Sequence, residues 1–67
     1  MYHVEVFNNR METLAFLELP QLHIGKKFEV GSDEFEIETL KGGTGKISGR
    51  LVMNGEKNTV GFVAERG

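Results

Sequence analysis

Apolar and polar residues alternate with a period of two along most of this chain. Tyr2, Val4 and Val6 are separated by His3 and Glu5, the pattern of a half-buried strand, and a first strand is predicted over Tyr2 to Phe7. Asn8, Asn9 and Arg10 suit a tight turn, after which Met11 to Leu19 returns as a second strand. A three-residue loop there pairs Phe7 with Met11, Val4 with Leu14 and Tyr2 with Phe16, whereas a two-residue loop would set Glu5 against Glu12. The segment also fits a short helix over residues 10–19, because Asn9 and Glu12 form a pair like an N-cap and Pro20 follows. From Leu14 to Leu19 nearly every position is apolar, so periodicity leaves both readings open and both sides of the segment need cover.

Pro20 to Gly25 reads as a connection, with Leu22 and Ile24 as its anchors to the core. Lys27 to Leu40 is predicted to be a hairpin turning at Ser32-Asp33. That register pairs Val30 with Phe35 and Phe28 with Ile37 inside, and Lys27 with Glu38 outside. It also opposes Glu29 and Glu36, with Glu34 and Glu38 beside them, an acidic ladder read as a solvated face. Lys41 to Gly49 holds four glycines and reads as a flexible loop feeding a strand. Gly45 to Met53 then alternates, and Val60, Phe62 and Ala64 answer it across Asn54-Gly55-Glu56-Lys57. Asn-Gly is the strongest short hairpin signal in the chain. A loop of two or four residues keeps the same inner face and sets Gly49 opposite Val60 or Phe62, where a ring would fill the space a side chain leaves. Glu65, Arg66 and Gly67 are expected to fray.

These elements make one all-β domain over residues 1–67, a small barrel or rolled antiparallel sheet of five to six strands that resembles SH3-like or OB-like barrels in architecture. The alternative is an α+β fold with one short helix at residues 10–19. The expected core is Val4, Val6, Leu14, Phe16, Phe28, Val30, Phe35, Ile37, Ile47, Leu51, Met53, Val60 and Phe62. Phe7, Ala15, Leu17, Val52 and Val63 then fall on the opposite faces of their strands, more apolar surface than a lone small monomer leaves in one patch.

Composition narrows the chemistry. Sixty-seven residues hold a single core, and a domain of this size reaches only about 3–5 kcal/mol of stability without staples. Disulfides are ruled out by the absence of cysteine, and two histidines without a thiolate do not fit a structural zinc. Packing and self-association remain. No apolar run reaches the roughly 20 residues of a membrane helix, and the first ten residues do not read as a signal peptide, so the expected compartment is the cytoplasm. Charge is unevenly spread: residues 1–40 carry eight acids against three bases, residues 41–67 five bases against two acids.

Gly42-Gly43-Thr44-Gly45-Lys46-Ile47-Ser48 has the glycines and lysine of a phosphate loop but not its spacing: Leu40 stands where the first glycine belongs and Ile47 where Ser or Thr belongs. The tract makes better sense as a basic loop, with Lys41, Lys46 and Arg50 free of neighbouring acids and with Lys26 and Lys27 as helpers along a nucleic-acid backbone. It lacks the interleaved aromatics on which single-stranded bases stack. His3, His23, Ser32 and Ser48 form no nucleophile–base spacing, and the carboxylates have no apolar pocket. No catalytic residue, metal ligand or small-molecule cofactor is assigned. The expected function is a non-enzymatic small binding module acting through protein–protein contact, as a homo-oligomer or as the small partner or inhibitor of a larger protein, with no membrane role. Nucleic-acid binding by residues 41–50 is the alternative. The binding residues expected are Lys41, Lys46, Arg50, Val52 and Val63, and Val52→Glu is expected to disrupt association.

Overall fold

The structure, a computed structural model, describes residues 1–43, 45–55 and 59–67. Six strands follow in order: β1 (Tyr2–Phe7), β2 (Thr13–Leu19), β3 (Lys27–Val30), β4 (Asp33–Gly42), β5 (Lys46–Met53) and β6 (Thr59–Arg66). They form one antiparallel sheet in the order β2-β1-β6-β5-β4-β3, rolled into a nearly closed barrel with no helix among the described residues. The all-β expectation holds, and the helix at residues 10–19 is replaced by β2. Rolling brings the inner faces together around Val4, Val6, Leu19, Phe35, Ile37, Leu51, Val60, Phe62 and Ala64, all buried.

The first hairpin corrects the expected register. Its loop does hold three residues, but they are Asn9, Arg10 and Met11. Asn8 N–H donates to the Glu12 carbonyl and Met11 N–H to the Asn8 carbonyl, each at 3.0 Å. The Asn8 side chain fixes this turn by accepting the Arg10 and Glu12 amides at 2.9 and 3.0 Å. Met11 then takes a φ of +63°, the left-handed residue that ends a three-residue hairpin loop. Phe7 faces Thr13, but Val6 faces Ala15, so Leu14 is the extra residue of a β-bulge. A shift of one residue exchanges the faces of a strand. Leu14 and Phe16 therefore leave the expected core and stand 47% and 75% exposed, while Ala15, Leu17 and Leu19 turn inward.

The β3–β4 hairpin is corrected by two residues. Lys27 pairs with Glu36, Phe28 with Phe35, Glu29 with Glu34 and Val30 with Asp33, leaving Gly31-Ser32 as the turn. Gly31 has a φ of +61°, and glycine at the first central position is what a type II′ turn requires. A shift of two preserves parity, so the inner face stays as expected. The Phe28 and Phe35 rings stack with centroids 5.5 Å apart, and Glu36 faces Lys27 rather than Glu29.

β4 and β5 absorb most of the supposed flexible loop: the ladder runs from Phe35–Met53 to Gly42–Ile47, closed by a Gly43 N–H bond to the Lys46 carbonyl at 2.9 Å. Thr44 and the turn residues Glu56 and Lys57 lie outside the described residues, but Asn54 and Gly55 both have positive φ, at +54° and +70°. Asn54 also ties this end of the barrel to the β3–β4 hairpin. Its N–H donates to the Glu34 carbonyl and its Oδ1 accepts the Glu34 amide, both at 2.7 Å. The chain end does not fray as expected. Glu65 and Arg66 pair with His3 and Tyr2, and Gly67 N–H donates to the Met1 carbonyl. Of the two expected anchors in the connection, Leu22 packs on the core and Ile24 is exposed.

Gly49 faces Phe62 directly, inside the barrel. A Cβ there would collide with the Thr39 carbonyl and come within 2.8 Å of the Phe62 ring. The approach comes from a second bulge, between Ile37 and Thr39, which draws β4 toward β5 and lets Arg50 N–H reach Thr39 Oγ1 at 3.1 Å.

Candidate functional site

The outer face of the sheet can be read as cross-strand rows. One row runs Glu18, His3, Glu65, Lys46 across β2, β1, β6 and β5, and the next runs Phe16, Glu5, Val63, Ser48, Lys41 and ends on β4. A third joins Phe7, Gly61, Arg50 and Thr39. Because the sheet rolls, the first two rows border a groove of about 660 Å³ lined by His3, Glu5, Phe16, Glu18, Val63 and Glu65 among others. Its floor is apolar at Phe16 and Val63, and its rim carries two polar pairs, the His3 Nδ1–Glu18 contact at 3.2 Å and the Lys46–Glu65 ion pair at 3.3 Å. Both pairs are more than half exposed, so they orient side chains more than they stabilise the fold. Glu5 accepts the Thr13 hydroxyl.

Two of the expected site residues, Lys46 and Val63, line this groove. Lys41 and Arg50 flank Ser48 on the same outer face, so the three bases do share one surface, although Lys46 is engaged by Glu65. Val52 stands apart, between Glu36 and Thr59 at the other end of β5. Of the residues expected on second faces, Phe7, Val52 and Val63 are on the outside, and the Phe7 ring lies over Gly61, where a Cβ would come within 2.7 Å of it. Ala15 and Leu17 pack on the core instead.

Sequence reasoning missed Phe16. Phe16 and Leu14 on β2, and Met11 just before it, are exposed, and β2 is one of the two edges of the sheet. The signal was the unbroken apolar stretch from Leu14 to Leu19, which demanded cover on both sides; what hid the assignment was the bulge. Among the described residues no three His, Asp or Glu side chains come together as metal ligands, and no helix is long and apolar enough to cross a membrane. Set against known proteins, the chain matches no family, no curated protein and no solved structure.

Proposed function

We propose that this chain is a non-enzymatic binding module that acts through protein contact, first of all by associating with itself, and that it works in the cytoplasm. The observation behind this reading is the exposure of Phe16 at 75%, Met11 at 74% and Leu14 at 47% on and just before one edge strand. Burying a side chain like that of Phe16 is worth about 1.5–3 kcal/mol, and several exposed large apolar side chains within one short segment favour an interaction site. The fold does not need these side chains, since the core closes without them.

The test is light scattering on the purified protein from micromolar to millimolar concentration. The average mass is expected to rise with concentration. Phe16→Glu is expected to hold the protein monomeric with its fold unchanged by circular dichroism. Val52→Glu, expected from the sequence to disrupt association, lies three strands from β2 and is on this proposal expected to keep it; a loss there instead would move the contact to β5. A mass that stays monomeric throughout would end the self-association reading.

Nucleic-acid binding is the second reading, favoured by the meeting of Lys41, Lys46 and Arg50 around Ser48. Contacts from about three bases would give a modest affinity that falls steeply with salt. Fluorescent single-stranded and duplex probes should shift in low salt and lose that shift with Lys41→Glu and Arg50→Glu together; unshifted probes at low salt would dismiss this reading.

A further inference from the structure

Resting on the self-association reading above, we propose that the partner is a second copy of the chain, joined through β2 in an antiparallel pair about Phe16. β2 bonds β1 along one side only, and among the described residues no backbone hydrogen bond reaches its other side. The two edges of the sheet are unlike. β3 has four residues, with Lys27 and Glu29 pointing outward and Phe28 stacked on Phe35, the short charged edge by which sheets avoid pairing with one another. β2 has seven residues, and Leu14 to Leu17 carry no charge and no proline. Its bulge lies at Leu14, near the start, so Ala15 to Leu19 presents a regular edge.

Charge and parity choose the register. The inward residues Ala15, Leu17 and Leu19 must face inward residues of the second copy, so the two-fold axis has to pass through a residue or keep that parity. An axis at Glu18 opposes Glu18 to itself, and one at Ala15 sets Glu18 against Glu12. An axis at Leu17 sets Phe16 against Glu18. The axis at Phe16 places ring on ring, Ala15 on Leu17 and Glu18 on Leu14, with no two like charges together. Sheet edges join little surface, so the dimer is a weak one, with dissociation in the micromolar range or above.

The experiment uses the full chain, whose lack of cysteine makes crosslinking clean. Residues directly opposite in an antiparallel pair have Cα atoms about 4.5–5.5 Å apart, within disulfide reach. Phe16→Cys is expected to form an interchain disulfide under mild oxidation much faster than Val63→Cys, whose copies would be separated by about five strand spacings of about 4.8 Å. Independently of any substitution, amides within Ala15 to Leu19 of the unaltered chain should exchange about ten-fold more slowly at millimolar than at micromolar concentration. A dimer in which Phe16→Cys crosslinks no faster than Val63→Cys, with no concentration-dependent protection in β2, overturns the β2 pairing and leaves self-association standing. A monomer at every concentration overturns both.

Discussion

Gly49→Ala is expected to destabilise the barrel by about 3 kcal/mol, the upper range for overpacking a closed core. The methyl group meets two neighbours of different kinds. One is the Phe62 ring, 2.8 Å from the new Cβ, which can tilt. The other is the Thr39 carbonyl, which is backbone held by the β4–β5 ladder and by the Arg50 bond to Thr39 Oγ1. Relief requires β4 to move away from β5, and that undoes the bulge. A domain of this size without disulfide or metal has only about 3–5 kcal/mol in total, so most of it is lost. Urea unfolding followed by circular dichroism reads the effect as a fall in midpoint at unchanged slope. Gly61→Ala is the companion measurement, because its obstacle is the edge of the Phe7 ring on the outer face, free to swing into solvent. A Gly49→Ala variant as stable as the parent would mean that β4 and β5 are not pinned at the bulge.

That glycine also shows how far a sequence can be read. Its place on the inner face, opposite Val60 or Phe62, follows from alternation alone, because Ile47, Gly49, Leu51 and Val60, Phe62, Ala64 keep one parity under any even loop; the register of the structure selects Phe62. A count of five to six strands, the inner residues of β1, β3, β5 and β6, Phe35 and Ile37 of β4, and the hairpin at Asn54-Gly55 are legible for the same reason, whereas Leu40 packs inward beyond the second bulge. Errors of two residues, as in the β3–β4 turn, are harmless to the face assignment. What alternation cannot show is a bulge. Leu14 adds one residue between Val6 and Phe7, and every later side chain of β2 changes face. The turn before it is fixed by the Asn8 side chain with Met11 at positive φ, and it moves the register by two residues, which leaves the faces unchanged. Nothing in the residue types from Leu14 to Leu19 distinguishes the two faces, since both are apolar.

The same property explains the candidate surface. A strand apolar on both sides folds correctly with either face inward, and its remaining face is left to water or to another chain. Of the expected binding residues, those on β5 and β6 were placed by alternation and stay on the outer face, while the most exposed aromatic of the chain was assigned to the core. Lys41, Lys46 and Arg50 come onto one outer face because β4 and β5 are neighbours in a long hairpin, where the sequence suggested a flexible loop.

Phe62→Ala is expected to be more damaging still, about 3–5 kcal/mol, because its ring is 1% exposed at the centre of the barrel and lies against Gly49, which has no side chain to close the gap. At micromolar concentration this leaves the variant close to half unfolded or beyond. Phe7→Ala, on the outside over Gly61, removes a ring that is only half-buried and is expected to cost about 1 kcal/mol. The Phe62→Ala variant also carries the functional question into a stability measurement. If only folded chains associate, association stabilises the folded state by mass action, about 2.7 kcal/mol when the partner exceeds the dissociation constant a hundredfold. The melting temperature of Phe62→Ala should therefore climb as protein concentration is raised, and the climb should vanish when Phe16→Glu is added, since Phe16 is the proposed contact and is not part of the core. A melting temperature that is indifferent to concentration would mean that the folded barrel, however marginal, stands alone.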